Sequence, residues 1–181
     1  MMDSALVRIS KFLSLVLRHK PETIGITLDD AGWVPISDLL DAAKAFGQEL
    51  NHDLLLRIVH ENDKQRFAIS VDGTSIRANQ GHSIEIELGL KPVTPPSILY
   101  HGTVMRFVHS IREKGLLPGN RQHVHLSSDH QTAEIVGRRR GIPIVLVIDA
   151  IRMANDDRRF YLSENGVWLT PDVPVEYIRF P

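Results

Sequence analysis

Leu6, Ile9, Leu13, Val16 and Leu17 recur at intervals of three and four. That period predicts a helix with one apolar stripe, which Pro21 stops. Ile36, Leu39, Leu40 and Ala43 predict a second helix, ended by Gly47 in a left-handed cap. Leu54 to Val59 predict a third. The period then changes. Arg66-Phe67-Ala68-Ile69-Ser70 alternates as a strand does, Asp72-Gly73 marks a tight turn, and Ser75-Ile76-Arg77 returns. Gly89 to Pro96 holds Pro92, Pro95 and Pro96, which excludes regular structure. Short strands separated by helices follow: Ile98-Leu99-Tyr100, a helix from Phe107 to Lys114 before Gly115, then a strand from Val124 to Ser127. Ser128 and Gln131 suggest a capping box for a helix through Val136. Ile144 to Ile148 reads as a buried strand, and Val167-Trp168-Leu169 with Val175 to Phe180 would complete the sheet.

Three helices followed by a hairpin is the winged-helix order. The fold class expected is therefore α+β, with an N-terminal winged-helix lobe over 1–90, a linker over 91–96 and a mixed α/β lobe over 97–181. A chain of 181 residues, 43 % apolar and 24 % charged, can bury a core in each lobe. The net charge of -1 gives no global attraction to nucleic acid or membrane, so any polyanion site must be a local cluster of its 21 Lys and Arg. With no cysteine there is no disulfide framework, thiolate zinc site or cysteine nucleophile. The start of the chain lacks a signal-peptide pattern and no apolar run is long enough to span a bilayer. A cytoplasmic protein with no obligate protein partner is expected.

The densest chemistry lies in Arg121-Gln122-His123-Val124-His125-Leu126-Ser127. On a strand, Arg121, His123 and His125 would share a face. Such a cluster suits an anion, a metal or a catalytic task. A zinc site would take His123 and His125 with His101 or His130, but no carboxylate lies nearby and Arg121 repels a cation. His101-Gly102-Thr103 and His125-Leu126-Ser127 also match the paired His-x-Thr/Ser motifs of two-histidine phosphodiesterases, though here both fall in one lobe. The glycine in His101-Gly102-Thr103 would let backbone approach a ligand closely. Arg18-His19 is explained locally by the favourable placement of cations at a helix C-terminus, and Arg138-Arg139-Arg140 likewise. Lys64-Gln65-Arg66 fits a solvated turn, and Trp168 fits a core position.

These segments together resemble the NAD-dependent RNA 2′-phosphotransferase family. The likeness runs through Ser10 to Pro21, Asp30-Ala31-Gly32-Trp33, Lys64-Gln65-Arg66-Phe67 and Gly81-His82-Ser83. It continues through Leu99 to Thr103, Arg121 to Ser127 and Glu164 to Leu169. The resemblance implies a winged-helix lobe joined to an ADP-ribosyltransferase-like lobe. It also implies removal of an internal RNA 2′-phosphate, as on spliced tRNA, by transfer to NAD. The route passes through a 2′-phospho-ADP-ribosylated RNA to 2′-OH RNA, nicotinamide and ADP-ribose 1″,2″-cyclic phosphate. The family's catalytic quartet falls on Arg18, His19, Arg66 and Arg121. Its NAD pocket falls on His101, Gly102, Thr103, His125, Ser127 and Val167, with no metal, and an active site between the lobes is expected. The alternatives are a two-histidine RNA phosphodiesterase, an ADP-ribosyltransferase acting on another acceptor, and a non-enzymatic winged-helix nucleic-acid binder.

Overall fold

A computed structural model describes residues 4–61 and 65–181, so Lys64 of the turn motif lies outside the described residues. The chain divides into two compact units, Met1–Gly89 and Leu90–Pro181. Its class is α+β. No described helix is long and apolar enough to cross a membrane.

In the first unit, α1 (Ser4–Arg18), α2 (Ile36–Ala45) and α3 (His52–His60) pack their apolar faces together. The stripe read from sequence is buried: Leu6, Ile9, Leu13, Val16 and Leu17 all lie in this core, with Ile36, Leu39, Ala43, Leu55 and Ile58. After α1 the chain makes a 3-10 turn, Pro21–Ile24, in which proline occupies the first turn where a missing N–H costs nothing. Asn51 caps α3 by accepting from the Leu54 N–H. The hairpin is β2 (Phe67–Ile69) and β3 (Ser75–Ala78), and Asp72 holds its turn by accepting from the Thr74 N–H. In this unit one strand was not foreseen. β1, only Val34–Pro35, pairs with β3 on the edge away from β2, giving the antiparallel order β1-β3-β2.

The second unit contains two three-stranded sheets where one had been expected. In one, β4 (Ile98–Val104) pairs antiparallel with β6 (Pro143–Asp149), which pairs with β9 (Ile178–Arg179). In the other, β5 (Val124–Leu126) and β7 (Tyr161–Leu162) flank β8 (Trp168–Thr170). Tyr100 and Ser127 exchange both backbone hydrogen bonds and so stitch β4 to the end of β5. The helices are α4 (Met105–Lys114), α5 (His130–Arg138) and α6 (Ala150–Asn155), and Trp168 lies in the core as its sequence context suggested.

Two local readings change. The cap of α5 is Asp129, accepting from the Thr132 N–H at 2.7 Å, and the box from Ser128 to Gln131 does not form. Asp129 takes the position because a carboxylate satisfies an orphan N–H and complements the helix dipole at once. Val175 to Tyr177 is a 3-10 turn after Pro174, leaving only Ile178–Arg179 as strand. The proline-rich segment is irregular, yet Val93 N–H donates to the Phe160 carbonyl and fastens it to the second unit.

Candidate functional site

In the first unit the geometry starts where α1 ends. Arg18 occupies the last turn, where a cation opposes the negative end of the helix dipole. Its guanidinium donates to the Arg66 carbonyl oxygen at 3.2 Å and lies over the Phe67 ring, 5.9 Å from the centroid. The Arg66 carbonyl also accepts from the Asn79 N–H, so the residue is held at the mouth of the hairpin. The Arg18 side chain and the Arg66 main chain are thus brought together from positions 48 residues apart.

His19, exposed beyond the helix end, has its Nδ1 at 2.9 Å from Ser83 Oγ. The Ser83 N–H donates to the Arg18 carbonyl at 3.0 Å. Next to Ser83, His82 is only 2 % exposed, and neither ring nitrogen has a hydrogen-bond partner among the described residues. Burial, and then the charges of Arg18, His19 and Arg77, push its pKa down to about 4. His82 is therefore a neutral ring at neutral pH. Arg77 itself stacks on Trp33, 4.6 Å from the ring centroid. Gly81-His82-Ser83 shows no task in the sequence, since a contact spanning residues 19 and 83 has no local signature.

In the second unit the geometry corrects the single-face reading of Arg121, His123 and His125. β5 begins only at Val124, and Arg121 sits in the preceding loop, its N–H bonded to the Pro118 carbonyl. Arg121 instead folds back to donate to His125 Nδ1 at 2.8 Å. Arginine has no acceptor, so this Nδ1 carries a lone pair and the proton of the neutral ring sits on Nε2. Partial enclosure, followed by the charges of Arg140 and Arg139, holds the Arg121 guanidinium below its ordinary pKa, though it stays a cation. His123 packs edge-on against Tyr161, with centroids 5.5 Å apart.

His101 sits beside this pair, its Nδ1 3.0 Å from the His125 carbonyl oxygen. A carbonyl only accepts, so Nδ1 carries the proton and Nε2 is left as an acceptor. Burial is the main cause holding the His101 pKa below the usual range; the bond to the carbonyl opposes it, and Arg140 and Arg121 reinforce it. Both rings have Nδ1 engaged. Among the described residues no group of three or more His, Cys, Asp or Glu gathers to hold a metal.

Gly102 has a reason that sequence did not reveal. A Cβ there would lie 1.8 Å from the Ala133 carbonyl oxygen and 2.8 Å from Gly137 N, so only glycine lets α5 pack on β4. Its backbone direction follows from the ladder. Tyr100 bonds Ser127, so the Tyr100 N–H and C=O point away from β6. Antiparallel pairing repeats every second residue, so those of Gly102 point to the same edge, beyond the last bond to β5. His101 and Thr103 alternate to the face opposite α5, where Thr103 is 4 % exposed. Val167 ends the β7–β8 turn, where its backbone pairs with Ser163. It lies one step beyond the Leu126–Trp168 pair, at the Ser127 end of β5. Ser127 thus neighbours Val167 on one side and Tyr100 on the other, and His101 and Gly102 follow Tyr100 along β4 toward His125.

The RNA 2′-phosphotransferase, Tpt1 / KptA family model matches residues 4–172. A probable RNA 2′-phosphotransferase of Acaryochloris marina is 53 % identical over 176 residues, 97 % of each chain. One from Streptomyces coelicolor is 52 % identical over 181 residues, 100 % of this chain and 98 % of the other. One from Pseudomonas aeruginosa is 54 % identical over 171 residues, 94 % of each. The match runs through both units and includes every residue of the two clusters described above, so the chain belongs to the RNA 2′-phosphotransferase, Tpt1 / KptA family.

Proposed function

We propose that this chain, a member of the RNA 2′-phosphotransferase family, removes a 2′-phosphate from RNA by transferring it to NAD. In the first step a phosphate oxygen bonds to the anomeric carbon of the nicotinamide ribose and nicotinamide leaves, giving 2′-phospho-ADP-ribosylated RNA. In the second the ribose 2″-hydroxyl bonds to phosphorus and the RNA 2′-oxygen leaves. The products are 2′-OH RNA and ADP-ribose 1″,2″-cyclic phosphate.

The residues suit that division of labour. A phosphate monoester has a second pKa of ~6 and is already anionic at neutral pH. The first step therefore needs no general base, only cations that hold the dianion, and the same cations can stabilise the charge that builds on phosphorus in the second step. Arg66 and Arg121 are assigned to the phosphate, with Arg18 supporting, because guanidinium forks bind phosphate bidentately. The field at Arg121 favours an anion, since Arg139 and Arg140 crowd it with like charge. His19 is assigned to the second step, where a hydroxyl must lose a proton and an RNA oxygen must gain one.

The Gly102 edge is the observation that carries the NAD reading. A backbone N–H and C=O presented side by side match the acceptor and donor of a carboxamide such as that of nicotinamide. His101 Nε2, an acceptor, suits a ribose hydroxyl. Thr103, His125, Ser127 and Val167 are assigned to the remaining NAD contacts. The two-histidine phosphodiesterase is disfavoured because His101 spends its Nδ1 proton on a carbonyl and Thr103 is buried.

The test is nicotinamide release. It should require both NAD and an RNA bearing an internal 2′-phosphate. Turnover of that RNA without NAD would overturn the proposal in favour of the phosphodiesterase.

A further inference from the structure

His19 is exposed and directly follows α1, its N–H donating to the Leu15 carbonyl, at a helix end where an exposed side chain ordinarily samples several rotamers. Ser83, 64 residues away, meets this helix end with two bonds, one to Arg18 and one to His19. The Ser83 N–H donates to the Arg18 carbonyl, one of the helix-end acceptors that α1 cannot satisfy itself. The hydroxyl then reaches Nδ1 of the next residue, His19, at 2.9 Å.

The segment presenting this hydroxyl is anchored on both sides. Before it, Gly81 turns the chain at φ 88, a left-handed conformation suited to glycine, and His82 is buried. After it, Ile86 is buried and the Glu87 N–H donates to the Asp30 carbonyl at 2.8 Å. His82 Nε2 also lies 3.5 Å from where a Cβ on Gly32 would sit, so the segment rests on the Asp29 to Trp33 turn. That turn is itself tied by Asp29, whose carboxylate accepts from the Ala31 and Trp33 N–H groups.

We propose that Ser83 is a positioning residue for His19, fixing the imidazole through Nδ1 in the orientation used for the second step of transfer. A hydroxyl fits this task in a way a carboxylate does not. It accepts from Nδ1–H when the ring is charged or in one neutral tautomer, and it donates to Nδ1 in the other. The ring is held in every protonation state without being trapped as imidazolium. A residue that both gives and takes a proton needs that neutrality.

The inference rests on the assignment of His19 given above, so its test combines a readout on the free protein with one on turnover. In the wild type, NMR should show a nuclear Overhauser contact between the His19 ring protons and Ser83 Hβ. Ser83→Ala should displace the His19 ring resonances while leaving those of His52 and His60 in place. In the same variant, kcat should fall about tenfold or more, as expected for a misplaced catalytic group, with KM for NAD unchanged. ADP-ribosylated RNA should accumulate, and Ser83→Thr should restore turnover. Unmoved His19 resonances in Ser83→Ala would overturn the proposal whatever the enzyme's activity. So would displaced resonances with full kcat, or a loss that Ser83→Thr does not repair. A protein that shows the NMR contact and has no NAD-dependent activity would overturn the second-step role while leaving the ring contact as structure.

Discussion

Between pH 6.5 and 4 the protein should lose stability through His82, and replacing this ring by leucine should remove that loss. The ring is 2 % exposed, has no hydrogen-bond partner among the described residues, and lies near Arg18, His19 and Arg77. Its pKa falls from 6.5 to about 4. At ~1.4 kcal/mol per unit, that gap is worth about 3 kcal/mol between the two protonation states. The unfolded chain takes up the proton at its ordinary pKa and the folded chain only near 4, so the unfolded state binds more protons throughout the interval. The contribution is therefore complete above pH 6.5, about 2 kcal/mol of it is gone by pH 5, and nearly all is lost below pH 4. His82→Leu has no proton to bind and similar apolar bulk. Urea unfolding of both proteins at pH 7, 6, 5 and 4 should show the wild type losing about 3 kcal/mol more than the variant over this range. Parallel stability curves would refute the claim that His82 is a buried neutral imidazole in the field of Arg18.

Gly102→Ala should destabilise the second unit by about 3 kcal/mol or more, because a backbone carbonyl 1.8 Å from the new Cβ must move; a Tm drop of only a degree or two would contradict the packing argument. Asp129→Ala should cost about 1 kcal/mol by uncapping α5, while Ser128→Ala should leave stability within ~0.5 kcal/mol, both measured by urea unfolding. Arg121→Lys keeps the charge and loses the fork, so kcat should fall about 100-fold or more; near-wild-type turnover would remove Arg121 from the phosphate.

Most helices were legible because each repeats its apolar period several times, as Leu6 through Leu17 does in α1. The strands were less so. β1, β7 and β9 have two residues each, too few to display an alternation, and β1 exists only because β3 offers it an edge. Asp129 displaced Ser128 as a cap through a competition between neighbours that a capping-box pattern does not weigh. At the candidate site the residue types were readable and their partners were not. Arg121 touching His125 is a loop folding back, and His101 bonding the His125 carbonyl needs two strands brought side by side. Gly102 looked like a ligand platform alone, yet the backbone of α5 also demands it. Ser83 carried no local signal because its task is set by a helix end 64 residues away.

The destination of the phosphate distinguishes transfer to NAD from hydrolysis. An RNA with one internal 2′-phosphate labelled with phosphorus-32 should be incubated with the full chain and NAD, and the products separated. Transfer predicts that the label leaves the RNA, which keeps its length and gains a 2′-hydroxyl, and that the label appears in ADP-ribose 1″,2″-cyclic phosphate alongside an equal amount of nicotinamide. Label recovered as inorganic phosphate, or in a cleaved RNA fragment with NAD intact, would contradict it.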